Sequence, residues 1–216
     1  MPRAIAPTAS RSQRSLQNAL AVAASLRAWL FLAALLVTFE IWAHLAYHTT
    51  FIFSALNLRS IAVFAVAPVL LGLGQTLVII SGGIDLSVAF TMGLSSVIAA
   101  LVANAASTKL GAPAGLVLAI LAACAVSLIP GWINGLLVAR LRVPPFIGTL
   151  GMYGVARGAA YLCSGGGTVP IDNPALSILG NGRLAGIPIV VIVTLVIVAA
   201  IHYLLAYAPF GQYTYA

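Results

Sequence analysis

Residues Ile187–Tyr207 read IPIVVIVTLVIVAAIHYLLAY, and every position from Ile189 to Ile201 except Thr194 is Val, Ile, Leu or Ala. A helix needs about 20 mainly apolar residues to cross the hydrocarbon of a bilayer. No water is at hand there for backbone N–H and C=O groups, so only helices and closed barrels can span it. A barrel strand would alternate apolar and polar residues, and this run does not alternate. It reads as a membrane helix.

Working outward, five further segments have similar length and character: Ala28–Tyr47, Ser60–Ile80, Leu86–Ala106, Ala114–Leu137 and Pro145–Cys163. The whole chain is 62% hydrophobic and 6% charged, with a mean hydropathy of +1.12. An ordinary soluble domain is about 25% charged, so a water-facing surface of normal polarity cannot be built from this sequence. The expected fold class is an all-α integral membrane protein, a polytopic bundle of about six transmembrane helices. The third and fifth segments are the weaker ones because they are rich in Gly, Ser and Thr. Small residues let helix backbones approach closely in a membrane, which places both inside the bundle.

Charge gives an orientation. With the N-terminus in the cytoplasm, Arg3, Arg11, Arg14, Arg27, Arg140 and Arg142 fall on the inner side, and Arg59, Lys109 and Arg183 on the outer. That bias is the one cytoplasmic loops carry. The formal charge is +7 and the isoelectric point about 10.0, but the basic residues are scattered. Nucleic-acid binding needs a dense basic patch, so the bilayer is the expected partner and nucleic acid is not. Residues 1–27 are Ser- and Arg-rich without an acidic residue. They read as a disordered basic cytoplasmic tail, ahead of a membrane domain over 28–216. A transit peptide shares that composition, but the apolar run that follows directly suits an uncleaved anchor. Cys124 and Cys163 are far apart in apolar segments and read as inert thiols.

Several polar stretches interrupt the apolar pattern. Ser81-Gly82-Gly83-Ile84-Asp85-Leu86-Ser87 sits between two apolar segments. It is either an ordinary turn with Asp85 or Ser87 capping the next helix, or a helix break facing a polar path. Gln75 and Thr76 follow Pro68, Gly72 and Gly74, and serve either an interhelical hydrogen bond or a water-filled path. Pro130 precedes Gly131 and Gly135, spaced as G-x-x-x-G around Trp132 and Asn134. This pattern predicts a kink and tight packing, with Asn134 as a candidate path residue. In the fifth segment Gly151, Gly154 and Gly158 share roughly one face beside Arg157, whose default reading is snorkelling to the interface. Glu40 in the first segment is expected near an interface.

No chemistry of bond cleavage is legible. Ser164-Gly165-Gly166-Gly167-Thr168 is glycine-rich, but no Gly-Lys-Ser/Thr follows, so it is not a phosphate-binding loop. His44, His48 and His202 have no carboxylate or thiol in register, so no metal site is expected. Nucleophile motifs are also absent. The chain is not read as an enzyme.

The stretch Gly74-Gln75-Thr76-Leu77-Val78-Ile79-Ile80-Ser81-Gly82-Gly83-Ile84-Asp85-Leu86-Ser87 closely resembles the signature of ABC sugar-importer permeases of the ribose/xylose/galactoside type. Gly131–Ala139, followed by Leu141-Arg142-Val143-Pro144-Pro145-Phe146-Ile147, is similar to the family's second block. Thr149-Leu150-Gly151-Met152, Arg157-Gly158 and the Ser164–Gly167 loop continue it. The resemblance runs in the family's order from about Ser60 to the end of the sequence. It implies a multi-pass permease subunit of a bacterial inner membrane that dimerises with a second permease subunit around a sugar path. It also implies a periplasmic sugar-binding protein that delivers substrate and a separate cytoplasmic ATPase that uses ATP, this chain carrying no cofactor. Family members continue past a segment like Pro209–Ala216 into a loop that docks on the ATPase and then into more helices. The sequence stops just before that loop, so relative to the family it reads as truncated.

The resulting expectation is a permease for a ribose-like monosaccharide, with Gln75, Thr76, Asp85, Asn134 and Thr149 along the path. Gly82, Gly83, Pro130, Gly131, Gly135, Gly151 and Gly158 would break or pack its helices. The alternatives are a proton-coupled carrier using Glu40 or Asp85, or a permease fragment without transport activity. Glu40→Gln and Asp85→Asn separate the first alternative: sugar uptake unchanged in both variants would remove the carrier's basis, because a proton relay needs an ionisable side chain.

Overall fold

The computed structural model describes residues 11–215, with side chains from residue 26 onward. The long helices are α1 (Arg11–Tyr47), α2 (Ala55–Ile80), α3 (Val88–Leu110), α4 (Ala112–Ala139) and α5 (Pro145–Cys163). Next come α6 (Pro174–Asn181), the strands β1 (Arg183–Leu184) and β2 (Ile187–Pro188), α7 (Ile189–Tyr207) and α8 (Pro209–Tyr215). The protein is a polytopic helical membrane protein. Among the described residues five helices, in α1 the part from Leu26 to Tyr47, are long and apolar enough to cross a bilayer. The exception among the sequence's segments is α5. Its four glycines, Thr149 and Arg157 dilute its hydropathy, yet 19 residues rise about 28 Å, close to the hydrocarbon thickness of about 30 Å.

Two expectations need correction. The tail was expected to be disordered to residue 27, but α1 begins at Arg11. Residues 16–26 are mostly Leu and Ala without Gly or Pro, a strong helix-forming run, and they continue the span as helix. Residues 1–10 lie outside the described part. The second correction concerns 168–186, which carried no expected elements, and Ile187–Pro188, expected as the start of the last helix and found as β2. Asn173 starts α6 by accepting from the N–H groups of Ala175 and Leu176 at 2.8 and 3.0 Å. The antiparallel pair β1–β2 then turns through Ala185 and Gly186, both with positive φ, which is the geometry of a two-residue hairpin turn.

The chain divides into two compact units, the second starting at Arg59. In the first, Glu40 Oε2 accepts from the backbone N–H groups of Phe51 and Ile52, both at 2.8 Å, and Asn57 donates to Phe51 O at 2.9 Å. In the second, α3 packs on α4 and on α5, and α4 touches α5. The buried apolar residues are small or flexible: Ala100, Ala103, Ala119, Ala156, Leu94 and Met152. Large residues such as Phe64, Trp132, Leu195 and Val196 face outward. This inverts the soluble pattern, because lipid solvates Leu as well as a protein core does and helices associate instead through close approach of small residues and polar contacts.

At the α3–α4 corner, Gly111 turns the chain with φ +87°, and a polar knot pins the loop that precedes α6. The side chain of Asn173 is fully buried. Its Nδ2 donates to Ser107 Oγ at 2.7 Å and Ala112 O at 3.0 Å. Asn104 donates to Pro170 O at 2.8 Å and accepts from the Asp172 N–H at 3.0 Å. A Cβ at Gly115 would lie 2.5 Å from Ser107 Oγ and 2.7 Å from Asn173 Nδ2, so only glycine fits. Gly115→Ala is therefore predicted to cost about 1–3 kcal/mol through overpacking. Asn173→Ala should cost about 2 kcal/mol from a lost cap and orphaned partners. Both appear as lower thermal midpoints in detergent, whereas Gly72→Ala, where a Cβ meets nothing within 4 Å, should leave the midpoint in place.

Candidate functional site

The strongest concentration of buried polar contacts forms around the break between α2 and α3. Gly82 takes φ +78°. Its N–H bonds to Ile79 O at 3.0 Å, and the Gly83 N–H bonds to Val78 O at 2.8 Å. This 5→2 and 6→1 pair is the Schellman arrangement that satisfies the last carbonyls of a helix. The same pattern recurs after α5, where Gly165 and Gly166 bond back to Leu162 O and Tyr161 O. The glycine-rich loop at 164–167 is thus a helix stop.

Beyond the stop, Asp85 Oδ1 accepts from both the N–H and the hydroxyl of Ser87, at 2.8 and 2.6 Å. Asp85 therefore caps α3 from two residues away, and Ser87 is buried beneath it. Asn134 of α4 donates through Nδ2 to Ser87 Oγ at 3.0 Å. Since the one Ser87 hydroxyl proton goes to Asp85, its oxygen can only accept, and this fixes which way the Asn134 amide points. Its other atom, Oδ1, is buried with no hydrogen-bond partner among the described residues. Thr91 Oγ1, one turn past Ser87 on α3, is likewise buried and unpartnered. A buried polar atom left unpaired costs about 1–3 kcal/mol.

The other candidates are distributed unevenly. Gln75 reaches from α2 and donates through Nε2 to the Asp85 carbonyl. Thr149, buried at the start of α5, donates to Pro145 O at 2.8 Å, with Ile84 O at 3.2 Å as its alternative acceptor. Thr76 is exposed and bonds within its own helix to Gly72 O at 2.7 Å, outside this cluster. Asp85, Asn134 and Thr149 line a pocket of about 370 Å³ together with Ser81, Gly131 and Gly135.

A Cβ at Gly131, Gly135, Gly151 or Gly158 would meet nothing within 4 Å among the described residues. The buried face of α5 is instead Gly148, Thr149, Met152 and Ala156. Gly131 and Gly135 open the pocket, while Gly148 faces Leu137 and Val143. Pro130 is buried in α4, one turn before Asn134. Ser87, expected only as a possible cap, is the residue that joins Asp85 to Asn134. Thr91 carried no signal beyond being a hydroxyl one turn further on.

A family model described as branched-chain amino acid transport system / permease component matches residues 57–216. The galactofuranose transporter permease protein of Escherichia coli (strain K12) is 41% identical over 128 residues, 59% of this chain and 36% of that protein. The fructose import permease protein of Rhizobium meliloti is 33% identical over 172 residues, 76% of this chain and 46% of its own length. The autoinducer 2 import system permease protein of Escherichia coli (strain K12 / DH10B) is 33% identical over 148 residues, covering 68% and 41%. The chain spans less than half the length of each of these relatives. No solved structure matches it.

The network orders two substitutions of Asn134. Asn134→Asp presents a carboxylate to Ser87 Oγ, whose proton is already committed to Asp85, and brings two carboxylates close together. Asn134→Leu only removes the amide and its unpaired oxygen. The aspartate is predicted to be the more destabilising of the two by about 2 kcal/mol, read as a lower thermal midpoint at neutral pH that partly recovers as the pH falls.

Proposed function

The chain belongs to the branched-chain amino acid transport system / permease component family, and on that premise we propose that it forms membrane-spanning path of an ATP-driven importer of a monosaccharide. Support comes from the relatives, two of which are named for galactofuranose and fructose. The single observation that carries the reading is the pocket at the α2–α3 break, lined by Asp85, Asn134 and Thr149, with Asn134 Oδ1 buried and unpaired. A sugar offers many hydroxyl donors, and a buried carbonyl oxygen is the acceptor one of them would fill. In this reading the Asp85–Ser87 contact holds α3 in place while Asn134 and Thr149 face the substrate.

A ribose-like pentose is our preferred substrate within this class, hexoses being the neighbouring possibility. The partners are a second permease subunit, a cytoplasmic ATPase that consumes ATP, and a periplasmic sugar-binding protein. The setting is the bacterial inner membrane, with the basic N-terminal residues 1–27 and the 81–87 turn on the cytoplasmic side and residues 28–216 forming the membrane domain. The proton-coupled alternative is disfavoured by geometry. Glu40 accepts from two backbone N–H groups and Asp85 from both donors of Ser87, so both carboxylates are already engaged by local donors.

The test is uptake by the full-length permease reconstituted in proteoliposomes with its ATPase and binding protein, using labelled D-ribose, D-fructose and D-galactose. ATP-dependent uptake of at least one sugar is expected. Asn134→Leu should lower kcat/KM for it by about tenfold, the factor that about 1.4 kcal/mol represents. Uptake driven by an imposed proton gradient without ATP would overturn the proposal.

A further inference from the structure

Along α5, Thr149, Tyr153, Arg157 and Tyr161 recur every four residues and so form one slowly drifting row on the helix. α3 runs beside this row. Thr149 Oγ1 lies 3.2 Å from Ile84 O, just ahead of α3. The Phe90 ring meets Tyr153 edge-on at 4.4 Å. The Arg157 guanidinium lies 5.4 Å from the centre of that same Phe90 ring. Between the two helices opens a groove of about 640 Å³, lined in part by Phe90, Gly93, Gly154, Arg157, Gly158 and Tyr161. Ligand pockets span about 300–1,000 Å³. The groove exists because side chains are missing: a Cβ at Gly93, Gly154 or Gly158 would meet nothing within 4 Å.

Arg157 sits in the C-terminal half of a helix of membrane length, where a charge at mid-bilayer costs at least about 2.5 kcal/mol. No carboxylate among the described residues pairs with it. The guanidinium carbon lies over the Phe90 ring, and its five N–H donors form a rigid planar fork. A planar donor fork beside aromatic rings is the chemistry that recognises a neutral polyol: N–H groups donate to adjacent hydroxyl oxygens, and ring faces pack on C–H surfaces. Anionic-lipid sites, by contrast, are built from clusters of basic residues, and among the described residues Arg157 is the one cation lining this groove. The row also connects to the first pocket, because Thr149 belongs to both the row and that pocket's lining.

We propose that the α3–α5 groove is a second monosaccharide station on the path that includes the 81–87 pocket, with Arg157 donating to adjacent hydroxyls of a neutral sugar. This rests on the importer reading above. Arg157 selects for paired hydroxyls, and the glycines of α5 give the sugar ring room to pass.

The test uses the full-length permease with its ATPase and binding protein in membrane vesicles, after replacing the exposed thiols Cys124 and Cys163 with serine. In that background Gly158→Cys is compared with Leu195→Cys, an exposed position on α7. Labelling by a charged, membrane-impermeant methanethiosulfonate is timed with and without D-ribose, D-fructose or D-galactose. The Gly158→Cys thiol should label about tenfold faster than the α7 thiol, since thiolates form only in contact with water, and the transported sugar should slow it about threefold. Arg157→Lys should transport with a raised KM, and Arg157→Met, still inserted and assembled, should lose the protection by sugar. A sugar that is transported but does not slow labelling overturns the proposal, as does slowing by added phosphatidylglycerol alone or equal labelling at the two positions. Absence of uptake for every sugar by the unmodified importer is the separate result that removes the importer reading and this station with it.

Discussion

Lipid offers a helical chain no reward for hiding leucine, so the helices of a membrane bundle must be held by close backbone approach and by polar groups that find each other. Every interruption of a helix must also satisfy its own N–H and C=O groups wherever it buries them. The break between α2 and α3 meets both demands at once. Its glycines close the carbonyl end of α2, and Asp85 takes the two donors of Ser87 at the start of α3. Ser87 then has only an acceptor to offer, which turns the Asn134 amide of α4 toward it. One carboxylate thereby sets a turn, a helix start and the direction of a buried amide on a neighbouring helix.

The other end of α3 is organised on the same principle with different residues. Asn104, Ser107 and Asn173 tie the α3–α4 corner to the chain leading into α6. Between the two polar ends the seam is made of Ala100, Ala103, Ala119 and Gly115. A trio of helices clamped at its ends and lined by small residues is stiff where it packs. Its open surface is left to carry the glycines and Arg157. The pocket at the break and the groove along α5 are both made by residues that lack side chains, walled by helices whose positions the asparagines fix.

Much of this was legible in the residue order. The apolar runs place the helices because their composition admits no other way to satisfy a backbone in hydrocarbon, and from the end of α2 onward the corners fall where Gly, Pro or Asp interrupts them. Asp85, Asn134 and Thr149 stood out as polar residues in apolar surroundings and do meet in one pocket. Thr76 stood out equally and points elsewhere, bonding to its own helix. Composition cannot tell these cases apart, since a hydroxyl one position along a helix is rotated by about 100°. The spacing of Gly131 and Gly135 or of Gly151 and Gly158 predicts a smooth face but not its partner. In this chain those faces are open, whereas Gly115, which carries no motif, is the glycine that packing requires.

By itself, then, the sequence determined that the chain is a bundle of membrane helices, where those helices are interrupted, and which polar residues lie in apolar surroundings. These follow from local chemistry: hydropathy over a span, glycine where φ must be positive, a carboxylate two residues before a helix start. Only the tertiary structure decided which polar atoms are already used and which remain free. Asn134 Nδ2 is committed and its Oδ1 is not; Glu40 is spent on a loop; Arg157 rests on Phe90 rather than on a counter-ion. Whether a donor or acceptor is satisfied depends on atoms contributed from another element, 11 residues away for Glu40 and 47 for Asn134, and no single turn of sequence contains both partners.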